Sequence, residues 1–549
     1  MTIQTILLSS LEKVFPDEAP HANPFRQASA LLGERFSFQI ACFMEGADKL
    51  EVAAAVATDP SLPAELYEVG VVPAAFPVAQ LHDEDYLRTA PGLFPDPLYP
   101  HKGAFSIPHH QWRSLWVSAV IPADLQANEV HFTVTLRDAS NPKAELVKET
   151  FTLHIIPAVL PEQKLIHTEW FYMDCLASYY KVPVFSEEHW NITEQYLKNA
   201  ADFGVNMILT PVLTPPLDTQ VGGERPTVQL VDITVGSDGT YHFGFDRLKR
   251  FMTLAERCGI RYFEISHLFT QWGAEHAPKI VAETPNGTEK TFGWKADASS
   301  PEYTGFLNAF LTALRGWLEA EGKLERCYFH ISDEPDKNHL KSYQAARNSV
   351  EQVLSGCKII DALSDYDFYE QGIVPLPIPS IDHIEPFLSH HVPNLWAYYC
   401  CAQGVDICNL FLSMPSYRNR MLGYPLYKYG IEVFLHWGYN FWYSQFSKKL
   451  IDPYAETGAV NAFPAGDAFL VYPGEDGKPV PSIHQFVQNE AFQDLRALEL
   501  LEQHHAKEEI IRLLEQQGTI TFSQYPRSAE WILNIRETIN HLIEQAVNS

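Results

Sequence analysis

The chain has 549 residues, too many for one hydrophobic core, so two or three domains are expected. Hydrophobic residues make up 46% and charged residues 20%, which excludes a largely disordered chain. Forty Lys+Arg against 68 Asp+Glu give a net charge of −28, a field that repels phosphate backbones and anionic membranes, so neither nucleic acid nor membrane is an expected partner.

No apolar run approaches the roughly 20 residues needed to span a bilayer. Met1 to Pro20 lacks a basic stretch followed by an apolar one, so no secretory signal is expected and a cytoplasmic location follows. The eight cysteines, Cys42, Cys175, Cys258, Cys327, Cys357, Cys400, Cys401 and Cys408, form no CxxC pair and are expected to be buried free thiols. No zinc site is expected.

Residues 1–160 read as an antiparallel β-sandwich. Val130, Phe132, Val134 and Leu136 alternate with polar residues, and Phe151, Leu153 and Ile155 repeat the pattern. Phe36–Phe43 and Trp112–Ile121 have similar length and lie between Pro, Asn and Asp punctuation.

From 161 to 505 short apolar strands alternate with helix-length amphipathic segments, the pattern of a (β/α)8 TIM barrel. Candidate strands are Leu165–Tyr172, Asn206–Thr210, Tyr262–Ser266, Cys327–Ser332, Lys358–Ala362, Pro379–Asp382, Leu395–Cys400 and Ile431–Trp437. Within Thr210–Phe243, a long connection, Val228–Val235 and Thr240–Phe243 read as a hairpin. Ser300-Pro301-Glu302 gives a helix N-cap, a proline at the first helical position and an acid in the first turn. Phe306, Phe310, Leu314 and Leu318 then mark its core face, as Leu340, Tyr343, Arg347, Val350 and Leu354 do for the next helix, with the arginine as the one polar member. Ala468–Tyr472 and a helix over Gln485–Gln503 close the barrel. A helical extension, 506–549, holds Lys507–Gln516 and Ser528–Ala546, whose apolar stripes imply packing on the barrel or on a partner, a second copy of the chain included.

The segment richest in chemistry is Cys327-Tyr-Phe-His-Ile-Ser-Asp-Glu-Pro335. An apolar strand runs into two adjacent acids, and Pro335 ends the ladder. Barrel active sites lie at the C-terminal strand ends, and two neighbouring carboxyls raise one another's proton affinity. One proton donor beside one anion is what glycosidic cleavage needs, which makes Asp333 and Glu334 the candidate catalytic pair. Asp-Glu-Pro-Asp is also how an ordinary acidic helix start reads, favoured by the helix dipole. Trp170, Tyr172, Trp272, Trp294, Trp396, Tyr398, Trp437, Tyr439 and Trp442 gather at or just after strand ends, where rings stack on sugar C–H faces. Asp174, Glu264, Asp361, Asp382 and Glu432 are further acids near strand ends. There is no Walker loop, strand-linked GxGxxG or HExxH, so no cofactor or metal is expected.

These residues resemble glycoside hydrolase family 123 and the related domain of unknown function 4091. The resemblance is carried by Pro95-Asp-Pro-Leu98, His167-Thr-Glu-Trp170 with Asp174, Ser332-Asp-Glu-Pro335, Trp396-Ala-Tyr-Tyr-Cys400, Phe434-Leu-His-Trp-Gly-Tyr-Asn-Phe-Trp442, and Tyr472-Pro-Gly-Glu-Asp-Gly477 leading into Ser482-Ile483. It implies a β-sandwich ahead of a barrel and a retaining β-N-acetylgalactosaminidase in which the substrate's own acetamido oxygen is the nucleophile. Asp333 would then orient the acetamido group, and Glu334 would be the general acid and base. His167, Trp170, Asp174, Trp396, Tyr398, Trp437, Tyr439 and Trp442 are the expected substrate contacts. Relatives continue after Ser482-Ile483 with an arginine and an Arg-Glu-Gly stretch. Here His484 and Asn489-Glu490-Ala491 stand instead, with Asp494 kept, so a different set of sugar hydroxyl contacts is expected. A short imported oligosaccharide or conjugate is the expected substrate. Two other readings remain open: a glycosidase for a non-acetamido sugar using Glu334 and a remote carboxylate, and a carbohydrate-binding protein without turnover.

Overall fold

The computed structural model describes residues 2–46 and 48–548. The N-terminal region holds two five-stranded sheets. One orders Thr2–Ser9, Arg35–Glu45, Arg113–Val120, Glu65–Ala74 and Gly92–Pro100. The other orders Gln27–Leu32, Asn141–Val159, Glu129–Asp138, Lys49–Asp59 and Ala104–Pro108. The alternation read from the sequence is the reason the sheets pack. Val130, Phe132, Val134 and Leu136 all face a core shared with Phe38, Leu115 and Val117 of the first sheet. Phe38 and Phe151 stack across it at 4.5 Å.

Eight parallel strands follow: Ile166–Glu169, Met207–Thr210, Tyr262–Ile265, Cys327–His330, Lys358–Ala362, Leu376–Ile378, Trp396–Tyr399 and Val433–His436. Each pairs with its neighbours in sequence except the sixth and seventh, and the first pairs with the eighth, giving a nearly closed barrel. The seam between the sixth and seventh is spanned by Tyr398 N donating to Pro379 O (3.1 Å) and Ile381 N donating to Tyr398 O (2.9 Å). The sixth ladder, Leu376–Ile378, lies just upstream of the expected Pro379–Asp382, whose residues face the seam to the seventh strand instead.

Helices connect these strands. Pro301–Ala320 starts where Ser300 Oγ accepts the Tyr303 N–H, and buries Phe306, Phe310, Leu314 and Leu318. The expected hairpin forms as Asp232–Val235 with Tyr241–Gly244. A second hairpin, Ile280–Thr284 with Gly287–Phe292, extends it to a four-stranded sheet.

Helix Ile483–Leu501 lies between the barrel and the N-terminal sheets and is buried along nearly its whole length. Asp96, from the Pro95–Leu98 motif, accepts the Tyr472 hydroxyl (2.6 Å) and pairs with His484 (2.7 Å), clamping sheet to barrel. The final helix, Ala529–Val547, packs on the N-terminal sheets and on Ile483–Leu501. No helix of the described residues is long and apolar enough to cross a membrane.

Candidate active site

Every barrel strand but the sixth sends a residue from its C-terminal end, or from the loop beyond it, into one cavity of about 540 Å³. Trp170 follows the first strand, Asp218 lies in the loop after the second, and Gln271 and Trp272 follow the third. Asp333 and Glu334 follow the fourth, Ala362 ends the fifth, and Tyr398, Cys400 and Cys401 come from the seventh. Leu435 and Trp437 come from the eighth, with Phe446 and Phe463 beyond.

The turn carrying the acids is held from three sides. Asp361 Oδ1 accepts the backbone N–H of Ile331 (3.0 Å) and Ser332 (3.2 Å). Trp272 N donates to Asp333 O (3.0 Å), and Glu334 N donates to Ala362 O (3.1 Å). These bonds keep Glu334 in the left-handed region, φ 43°. Asp218 (39°), Trp272 (56°) and Phe446 (60°) share that conformation, and all four line the cavity. Left-handed backbone at such residues costs about 1–3 kcal/mol each and persists where the surroundings over-determine it, typically at functional sites.

Asp333 is 9% exposed, whereas Glu334 reaches solvent through the cavity. Burial and then the neighbouring Glu334 push the Asp333 carboxyl well above its ordinary range, with His330 opposing. Crowding by the cavity wall also raises Glu334, against the pull of the Tyr398 hydroxyl, which donates to Glu334 Oε1 at 2.7 Å. Among the described residues no lysine or arginine forms an ion pair with either acid. Beyond Glu334 the cleft widens into a second space of about 730 Å³, which Glu334, Tyr398 and Cys400 also wall.

Beneath Asp333, His330 is bracketed by Glu264 and by Asp361 (3.2 Å). Burial alone would lower this imidazole, but the two carboxylates push it up to about 9. Glu264 also accepts Trp170 Nε1 (2.8 Å) and Thr168 Oγ1 (2.5 Å), so one acid orients both the cavity tryptophan and the histidine. A matching cluster across the barrel places His436 on Glu169 (2.9 Å) and Asp467 on Trp437 Nε1 (3.0 Å). Asp218, raised by burial to about 6, accepts the Phe446 N–H at 2.9 Å.

Of the residues singled out by sequence, the structure brings Asp333, Glu334, Trp170, Tyr398, Trp437 and Trp272 together. The others lie elsewhere. His167 is buried between Glu169 and Phe492, and Trp396 starts its strand and packs on Tyr328. Asp174 makes a two-pronged pair with Arg225, at 2.7 Å for each bond. Tyr439 donates to Tyr196 O and to Asn199, and Trp442 packs on Tyr179 and Tyr196. His484, Glu490 and Asp494, where the chain meets or departs from its resemblance, lie where the N-terminal sheets meet the barrel and not in the cavity. Asp218, Gln271 and Phe446 were not legible as site residues. They sit in long connections without periodicity, and only the length of Thr210–Phe243 flagged one of them.

The model of the glycoside hydrolase 123 catalytic domain matches residues 170–501. The chain belongs to glycoside hydrolase family 123. The match starts at Trp170 and spans the whole cavity lining. A family 123 glycoside hydrolase from Clostridium perfringens, solved for the details of glycolipid glycan hydrolysis, has a TM-score of 0.75. It is 17% identical, with 100% of this chain and 98% of that one covered, so the likeness speaks to fold alone. A GH10 xylanase from Thermobacillus composti, at TM-score 0.32 and 11% identity over 60% of this chain and 97% of that one, carries no argument. No curated protein matches the chain. This family 123 glycoside hydrolase therefore combines a sheet-rich N-terminal region with a barrel whose mouth holds an acid pair that, among the described residues, forms no ion pair with a lysine or arginine.

Proposed function

We propose that the chain is a retaining, exo-acting β-N-acetylhexosaminidase preferring N-acetylgalactosamine, built as a β-sandwich ahead of a (β/α)8 barrel. The observation that carries this reading is the pair itself: two consecutive carboxyls, both raised, at one wall of an aromatic cavity. Both carboxyls line the same cavity, which suits a mechanism needing no enzyme nucleophile. The substrate's acetamido oxygen attacks the anomeric carbon, Glu334 protonates the leaving oxygen, and the same carboxylate then activates water. Asp333 accepts the acetamido N–H and offsets the positive charge of the cyclic intermediate.

Burial by itself favours the proton on Asp333. A hydrogen bond from the acetamido N–H, with the His330 cation beneath, favours charged Asp333 and leaves the proton on Glu334, where the leaving group needs it. Trp170 and Trp437 supply ring faces for the sugar, Tyr398 fixes Glu334, and the second space beyond Glu334 takes the rest of a short oligosaccharide. A thiazoline of galactosamine configuration, which mimics the cyclic intermediate, tests the reading. Competitive inhibition far below the substrate KM is expected; a thiazoline no better than the free sugar overturns substrate assistance.

A second reading is favoured by Asp218, a cavity-lining carboxyl raised to about 6. Glu334 as acid with Asp218 as the remote carboxylate would serve a sugar lacking an acetamido group. Asp218→Asn then abolishes turnover, whereas under substrate assistance it leaves kcat within a few-fold.

A further inference from the structure

The seventh barrel strand ends at Tyr399, and the next two side chains, Cys400 and Cys401, both line the cavity. In a continuing strand, neighbours face opposite sides of the sheet. Here the chain turns at Cys401, so two adjacent thiols reach the same space. The turn is fixed by Cys400 N donating to Gln403 Oε1 (2.8 Å), Gln403 N donating to Cys400 O (3.3 Å) and Asn409 Nδ2 donating to Cys400 O (3.1 Å). Both thiols are free and half-buried, within reach of a small molecule that enters the cleft. The Cys401 thiol beside it, together with burial, holds Cys400 well above the ordinary thiol range.

We propose that Cys400 and Cys401 form a dithiol site in the cavity wall that captures a soft trivalent electrophile of the arsenical class, one arsenic bridging both sulfurs. This assignment is independent of which sugar the cavity takes. Consecutive Cα atoms are about 3.8 Å apart across a trans peptide, whereas disulfides ordinarily span Cα separations of about 4.4 Å or more. A direct Cys400–Cys401 disulfide is therefore strained and readily reduced, and a one-atom bridge between the sulfurs relieves that shortfall. With an arsenoxide, two S–H bonds and the arsenic–oxygen bonds break, two arsenic–sulfur bonds form, and the oxide leaves with both protons as one water. Arsenic stays trivalent, so no oxidant or reductant is consumed. Cys258 and Cys357 are half-buried and far apart in sequence, and Cys42, Cys175, Cys327 and Cys408 are buried. The chain thus offers one adjacent pair of reachable thiols among the described residues.

The test treats the full chain with phenylarsine oxide and reads the intact mass under native conditions. Wild type is expected to hold one arsenical per chain that survives excess 2-mercaptoethanol and leaves with 2,3-dimercaptopropanol. Cys400→Ser and Cys401→Ser should each lose this resistant adduct, and Cys258→Ser should keep it. Fragmentation of the digested wild-type adduct, which needs no variant to fold, should place arsenic across residues 400 and 401. A resistant adduct that persists in both serine variants, that maps to another cysteine, or that never forms on wild type overturns the assignment.

Discussion

At the junction of the two regions Asp494 is fully buried between Arg420, which grips it with two bonds of 2.8 and 3.0 Å, and Arg536 at 2.7 Å. Those arginines also hold Glu490 and Glu34, at 2.9 and 2.6 Å. At the barrel mouth Asp333 is nearly as buried, but its nearest charged neighbours are another acid and, deeper, the His330 imidazole already claimed by Glu264 and Asp361. The consequences run in opposite directions: Asp494 is held below its ordinary range, and Asp333 is pushed well above it. Asp494 and Asp333 are buried to a comparable degree. Burial alone thus does not decide which way a carboxyl is pushed: two flanking arginines reverse its effect at Asp494, and the single His330 does not at Asp333.

That contrast can be broken most sharply at Glu334. Glu334→Gln and Asp333→Asn should each lower kcat by about 10²–10⁴-fold. Thermal midpoints should stay unchanged or rise, since each substitution relieves an unpaired acid. A clear loss of stability in either variant would make the pair a structural feature. Arg420→Met should do the reverse. It leaves Asp494 and Glu490 short of a cation, and about 3–5 kcal/mol of unfolding free energy should be lost in urea titrations, with kcat per folded molecule unchanged.

The His330 cluster sharpens the same comparison through pH. Its imidazole rises from an unfolded value near 6.5 to about 9 in the fold, so it contributes stability that is fully present below about pH 6.5 and lost as pH rises through 9. His436, also at about 9, adds to the loss in the same window. Denaturant midpoints should fall from about pH 6.5 to 9.5, and less steeply in His330→Gln. An equal slope in the variant would remove His330 from this account. Smallest is Trp272→Ala. This ring is 44% exposed at the cavity rim, and its removal should raise KM by roughly tenfold, about 1.4 kcal/mol, with stability kept.

The same physics explains what was legible in the sequence. The strands of the barrel could be read because short apolar runs alternate with capped, striped helices. Asp333 and Glu334 could be read because a strand runs straight into them before a proline. Trp170, Tyr398 and Trp437 end or follow strands and do line the cavity. Trp396 and His167 belong to the same strands but lie away from the mouth, because a four-residue strand is about 13 Å long and only its last residue or two reach the cavity. Asp174 shows the other limit. Its pairing depends on Arg225, 51 residues later in a connection without periodicity, and no spacing rule announces that partner. Asp218 and Phe446 meet across two such connections, through a bond between residues 228 apart.

The central claim is that the acid pair cleaves a 2-acetamido sugar with help from that acetamido group. The most direct measurement is chromophore release from two β-glycosides, the N-acetylgalactosaminide and the plain galactoside, by wild type and Glu334→Gln. The account predicts hydrolysis of the acetamido sugar alone, lost in the variant. Cleavage of the galactoside by wild type, or an acetamido activity that survives in Glu334→Gln, would contradict it.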